Sequence, residues 1–247
     1  MLKKLDIIII ANILLIVAAL AFFNHSDIDT KIQAHLFNPE NKTWFFDAAE
    51  PTKKFIFYQL PKILLGIFIV AILALTAAKF KNKTANRHKF LLIFLGLAII
   101  PLTVGNIKKF TNIYCPNQLE IYNGKYPHIK ILEPYPEDFA QPKKGQCFPA
   151  GHAVTGFALL ILFFALESTK NRYLALLTAT TLGWILGFYQ MAKGAHFFSH
   201  NFISMLACFL VAAIIARIYN CINNETRTNY DNAKNYKKTN SRTASRL

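Results

Sequence analysis

Three histidines carry the chemical interest of this sequence: His152 in Cys147-Phe-Pro-Ala-Gly-His152, and His196 and His200 in Lys193-Gly-Ala-His196-Phe-Phe-Ser-His200. Each falls at the end of a long apolar run, where polar side chains are costly and tend to be functional. The i, i+4 spacing of His196 and His200 puts two imidazoles on one helix face, as in some zinc sites. No acidic residue follows closely to complete a ligand shell, so we expect no metal or other cofactor. Phosphate chemistry suits the pattern better. A histidine can attack phosphorus, and a second can protonate the leaving oxygen. Such a site also needs cations and free backbone N–H groups for the non-bridging oxygens. Lys108, Lys109 and Lys193 can supply the cations. Gly151 and the amides that follow it can supply a helix start, with Pro149 where a missing N–H does no harm.

These residues have to be positioned by a membrane bundle. The chain has 247 residues and is 53% hydrophobic with 22 Phe, yet its formal net charge is +15. Greasy and basic segments must therefore alternate, which is the habit of a polytopic membrane protein. No zinc-finger, basic-zipper or RNA-motif pattern accompanies the charge, so we expect no nucleic-acid partner. Six apolar runs are long enough, or nearly so, to span a bilayer: 7–23, 57–78, 90–107, 153–166, 173–191 and 202–219. We expect an all-α, six-transmembrane-helix bundle over 1–219, followed by a polar, disordered cytoplasmic tail over 220–247. Pro61 predicts a kink in the second run, and Lys62 reads as a snorkelling amine. Gly183 and Gly187, one turn apart, predict close helix packing.

Charge sets the orientation. With the N-terminus in the cytoplasm, Lys3, Lys4, Lys79, Lys81, Lys83, Arg87, Lys89, Lys170 and Arg172 all lie inside beside few acids, as the positive-inside rule requires. Both termini are then cytoplasmic, and the three histidines share the outer face. The first run has a signal-like n-region and an Ala19-Leu-Ala21 segment, but it is long for a signal and reads as an uncleaved helix. Two outer loops are long. The first carries Trp44-Phe45-Phe46, which reads as an interfacial cluster on the membrane surface. The second, 108–148, carries Cys115 and Cys147. The sequence leaves two states open for that pair: a disulfide if the compartment is oxidising, free thiols otherwise.

Taken in order, three segments resemble the signature motifs of the type-2 phosphatidic-acid phosphatase family: K-x6-R-P, P-S-G-H and S-R-x5-H-x3-D. The first resembles Lys108 to Cys115-Pro116, the second Pro149-Ala150-Gly151-His152, and the third Gln190 to His196 and then His200. The resemblance covers roughly residues 55–215. This chain departs from the motifs by carrying Cys115 and Gln190 for the two arginines, Ala150 for the serine and His200 for the aspartate. Lysine does not reproduce the bidentate fork of arginine. The resemblance implies a metal-independent membrane phosphatase that hydrolyses a phosphate monoester or pyrophosphate of a lipid, of the lipid A, undecaprenyl pyrophosphate or phospholipid kind. His196 would be the nucleophile, His152 the general acid and His200 the residue that orients His196. Lys108, Lys109, Ala150, Gly151, Gln190 and Lys193 would bind phosphate. The setting implied is a bacterial inner membrane with the site facing the periplasm. The same intermediate would serve a lipid phosphotransferase, and a non-catalytic lipid-phosphate-binding relative would keep the same cluster. The partners expected are the lipid phosphate and the bilayer, and oligomeric state stays open.

Overall fold

The computed structural model describes residues 2–84 and 86–244, with side chains as far as Asn223. Of the expected tail, 220–244 continues the last helix, Phe198–Ala244, and 245–247 lie outside the described residues. The architecture is all-α apart from one two-residue hairpin. Helix α1 (Leu2–His25) leads into short α2 (Ile28–Ala34), and a hairpin of β1 (Phe37–Asn38) and β2 (Thr43–Trp44) follows. Then come α3 (Pro51–Lys81), α4 (Arg87–Thr111), α5 (Val154–Ala165), α6 (Thr169–Ala192) and α7 (Phe198–Ala244). Among the described residues five helices are long and apolar enough to cross a membrane, namely α1, α3, α4, α6 and α7, the last through Phe198–Asn223.

The expected fourth crossing is the short α5. At 1.5 Å per residue it rises about 18 Å, well under the roughly 30 Å hydrocarbon core. It tightens into a single 3-10 turn at Ala158–Leu160. Its burial explains how it can be short. Val154, Gly156, Phe157, Ala158, Leu160 and Ile161 are all buried inside the bundle, so its ends meet protein and not lipid. Contact with α6 is backbone to backbone: a Cβ placed on Gly156 would stand 2.3 Å from Gly183 N, and one on Gly183 would stand 2.1 Å from the Phe157 ring. Gly187 leaves room in the same way for Asn201 of α7. The close packing expected of Gly183 and Gly187 is therefore present.

In α3 the residues just before Pro61, Phe55–Gln59, form a π turn. Proline has no N–H to give the carbonyl four residues back, and its ring crowds that carbonyl, so the ladder widens just before it. At the end of the molecule opposite the histidines, the Arg217 Nε of α7 donates to Asp6 Oδ1 of α1 at 2.6 Å.

The two long loops, after α1 and after α4, fold into a cap over one end of the bundle. Trp44, expected in an interfacial cluster, is part of this cap. It packs against Phe37 and Tyr122, with ring centroids 4.9 and 5.3 Å away, and covers Gly194. Phe45 alone of the three aromatics is well exposed, at 65%. The loop after α4 is held by Asn112, which ends that helix in the left-handed region at φ 53°. Its side chain pairs with Gln141 and accepts the Gly145 N–H. Tyr114 stacks on Tyr126 at 3.9 Å above it.

Candidate active site

Six chain segments meet under the cap. The 191–196 turn is fixed first. Helix α6 ends with Gly194 at φ +73°, the left-handed position where glycine carries no Cβ penalty. Its last carbonyls, which no longer have helical partners, accept from the cap: Met191 O from Gln33 Nε2 at 2.8 Å, Ala192 O from Phe46 N at 2.9 Å and Gly194 O from Asn117 N at 2.8 Å. Helix α7 begins two residues after His196. The Asp29 carboxylate accepts both the Ser199 N–H, at 2.8 Å, and the Ser199 hydroxyl. An acid at this place satisfies an orphan donor and complements the helix dipole.

The segment preceding α5 is stitched to the end of α4. Cys147 N donates to Ile113 O at 2.8 Å, and the Thr111 hydroxyl donates to Phe148 O. Cys115 and Cys147 are joined in a disulfide with Cα atoms 5.1 Å apart. Ala150 N then donates to His200 O at 3.2 Å, and Ser204 Oγ bonds both carbonyls, of Ala150 at 3.1 Å and of His200 at 2.7 Å.

These restraints bring His152 and His196 to a ring separation of 6.2 Å, and His196 and His200 to 5.8 Å. His196 and His200 are buried, with exposures of 6% and 1%. Cys147 Sγ stands 3.4 Å from His196 Nδ1. His152 Nδ1 is buried with no hydrogen-bond partner among the described residues. Its ring lies 4.4 Å from Tyr58.

Cations gather around this pair. Lys108 Nζ is 3.8 Å from the point a Gly151 Cβ would occupy, so a side chain here would intrude on the gap between them. Lys62 Nζ sits 3.8 Å above the Tyr58 ring, and Lys193 Nζ lies 5.4 Å from Tyr58 and 5.1 Å from Tyr189. Burial, then His196, Lys62, Lys193 and Lys108, push His152 down to about 2. Burial also pushes His196 down to about 3, against a hydrogen bond to the Cys147 main chain, which raises it, and with Lys108 and Lys193 acting the same way as burial. Lys193 is lowered by burial and by the charges of Lys54 and Lys62. In all three burial is the largest cause, and neighbouring positive charge acts in the same direction.

Of the residues expected from sequence, His152, His196, Lys108, Gly151 and Lys193 share this cluster. His200 lies beside it, but no hydrogen bond joins it to His196. The sulfur of Cys147 faces His196 Nδ1 instead, and His200 ties the loop down through its carbonyl. The Ala150 amide is already spent on that carbonyl and is not free for a ligand. Gln190 is fully buried, its side-chain amide makes no hydrogen bond among the described residues, and only its carbonyl, on Ala195 N, is engaged. Lys109 is exposed, about 100° around the helix from Lys108, and takes no part. Sequence reading missed Lys54, Tyr58 and Lys62 as members of the cluster. Their spacing of four places them on one face of α3, which was the available signal.

Below the cluster an apolar groove of about 540 Å³ runs between α3, α5 and α6, lined by Leu60, Leu64, Phe68, Thr155, Leu159 and Leu186 among others. Thr155 is one turn past His152, so the groove begins where the cluster ends.

Fold and site together define a polytopic helical membrane protein with a cluster of histidines and lysines at one end. The model of the PAP2 superfamily matches residues 89–223, and the chain belongs to that superfamily. In fold it is similar to the transmembrane PAP2-type phosphatidylglycerolphosphate phosphatase from Bacillus subtilis. The TM-score is 0.50 and the identity 14%, covering 88% of this chain and 96% of that one. No curated protein matches the chain significantly in sequence.

Proposed function

We propose that this protein is a membrane phosphatase that removes phosphate from a lipid phosphate monoester or diphosphate through a phosphohistidine, without a metal. One observation carries the reading: two histidines, 6.2 Å apart by ring centroid, lie among Lys62, Lys108 and Lys193 directly above an apolar groove. A phosphate head with a hydrocarbon tail is what such a pocket complements. Lys62, Lys108 and Lys193 hold the non-bridging oxygens, and the phosphate charge raises His152 so that it can carry a proton. His196, kept unprotonated by burial, attacks phosphorus with Nε2, because Nδ1 faces Cys147. His152 protonates the leaving alkoxide, then as base activates the water that cleaves the phosphohistidine. Positioning and charge neutralisation supply most of the rate.

The distribution of lysine and arginine supports a bacterial inner membrane, both termini in the cytoplasm and the cap on the periplasmic side. On this reading 1–219 is the membrane enzyme and 220–247 a cytoplasmic tail. The name of the Bacillus subtilis protein makes a phospholipid phosphomonoester the first substrate to try, ahead of lipid A and undecaprenyl pyrophosphate.

The test is phosphate release by detergent-purified protein from a panel of lipid phosphates, with EDTA, beside His196→Ala. We expect release that survives EDTA and falls by on the order of 10³ or more in the variant. Release unchanged in His196→Ala would remove the assigned nucleophile. Tight binding of a lipid phosphate with no turnover by either protein would leave a non-catalytic relative.

A further inference from the structure

The disulfide partner of Cys115 sits among two further metal-ligating groups. One ligand atom each of Cys147, His196 and His200 lies within 4.8 Å of the others, and all three residues are buried. His200 Nδ1 is buried without a hydrogen-bond partner among the described residues, which is costly for a polar atom and marks a site with an unfilled contact. Around a tetrahedral zinc, with bonds of 2.3 Å to sulfur and 2.0–2.1 Å to nitrogen, ligand atoms stand roughly 3.4–3.6 Å apart. Cys147 Sγ and His196 Nδ1 are already 3.4 Å apart. In the disulfide that sulfur carries no negative charge and is a poor zinc donor; as a thiolate it is a strong one.

We propose that Cys147, His196 and His200 form a latent zinc site, closed by the Cys115–Cys147 disulfide and opened by its reduction. Cys115 is only partly buried, so a reductant can reach the bond from that side. A phosphine gives two electrons to the disulfide and becomes phosphine oxide with oxygen from water, and the two protons of that water complete the two thiols. Zinc then displaces the Cys147 thiol proton and is held by one thiolate and two neutral imidazoles, with water in the fourth place on the His152 side. His200 comes from the first turn of α7, His196 from the turn just before that helix, and the far loop supplies the third ligand. Zinc binding as such is independent of the phosphatase reading. Its consequence rests on that reading: an imidazole bound to zinc is a poor nucleophile, so the metal silences the reduced enzyme.

Cys115→Ser tests this directly, because it leaves Cys147 a free thiol without any reductant. The full chain is stripped with EDTA and titrated with zinc chloride, and with cobalt(II) as a spectroscopic probe. We expect one zinc per chain, bound at least 100-fold more tightly than by the oxidised wild type. Cobalt should give a near-ultraviolet thiolate charge-transfer band and tetrahedral visible absorption. Cys147→Ser, and His200→Ala placed in the Cys115→Ser chain, should lose both. Phosphine-reduced wild type carries the same thiol with no substitution and guards against misfolding of the variant. If neither it nor Cys115→Ser binds more zinc than Cys147→Ser, or if the oxidised wild type binds as tightly, the proposal is overturned. Zinc binding without phosphatase activity in any form would instead overturn the phosphatase reading and leave the site standing.

Discussion

Replacing Lys62 by methionine, with Lys109→Met beside it, separates the structure's assignment from one made on sequence spacing. The sequence reading counts Lys109 among the phosphate-binding cations and takes Lys62 as a snorkelling amine. In the folded protein Lys109 is exposed and outside the cluster, whereas Lys62 lies 3.8 Å over Tyr58, whose ring is 4.4 Å from His152. A hydrogen bond to a charged group contributes about 1.5–3 kcal/mol. Lys62 is exposed, so solvent screening reduces this to about 1–2 kcal/mol. At about 1.4 kcal/mol per tenfold, kcat/KM for the lipid phosphate should fall about 5- to 30-fold, chiefly through KM. Lys109→Met should stay within about twofold. Loss of Lys62 should also move the titration of His152 upward, because that charge helps hold it down. The loss should shrink as salt rises. Phosphate release in mixed micelles, followed against pH and ionic strength, measures all three effects. Equal effects of the two substitutions, or a larger one from Lys109, would refute the placement of the cations.

Four further outcomes follow from the same geometry. Gly183→Ala should destabilise by about 1–3 kcal/mol, since its Cβ would stand 2.1 Å from the Phe157 ring; Gly66→Ala, with nothing within 4 Å, should leave the thermal midpoint unchanged or higher. Asp29→Ala should cost about 1–2 kcal/mol by uncapping α7, and Asp29→Asn less, both read as thermal midpoints. Because folding holds His152 and His196 below the unfolded value of about 6.5, the stability they contribute is complete above that pH and lost as pH falls toward the folded values. Between pH 6.5 and 5 each should cost on the order of 2 kcal/mol, seen as a fall in thermal midpoint that inorganic phosphate reduces. Gly151→Ala should fold normally, as its Cβ meets only Lys108 Nζ at 3.8 Å, yet weaken competitive inhibition by inorganic phosphate.

Composition and apolar run length were enough to establish an all-helical membrane protein, because lipid leaves backbone groups no partner but their own helix. Residue type and order were enough to single out His152 and His196 as candidates, and the fold brings their rings to 6.2 Å. The Gly183 and Gly187 spacing was legible for a similar reason: absent side chains one turn apart allow close approach wherever the helix packs. Other features were settled only by long-range contacts. The short α5 is possible because neighbouring helices bury it, which no local pattern reveals. Lys62 joins the cluster and Lys109 leaves it through the rotation of two helices about their axes. The Ala150 amide is lost to a carbonyl fifty residues away, on α7. Cys147 replaces the side-chain partner expected for His196 because a disulfide and one main-chain bond pin it there. Sequence fixes which groups are available for chemistry. Their distances and competing partners depend on packing between segments far apart in the chain, and so appear only in the tertiary structure.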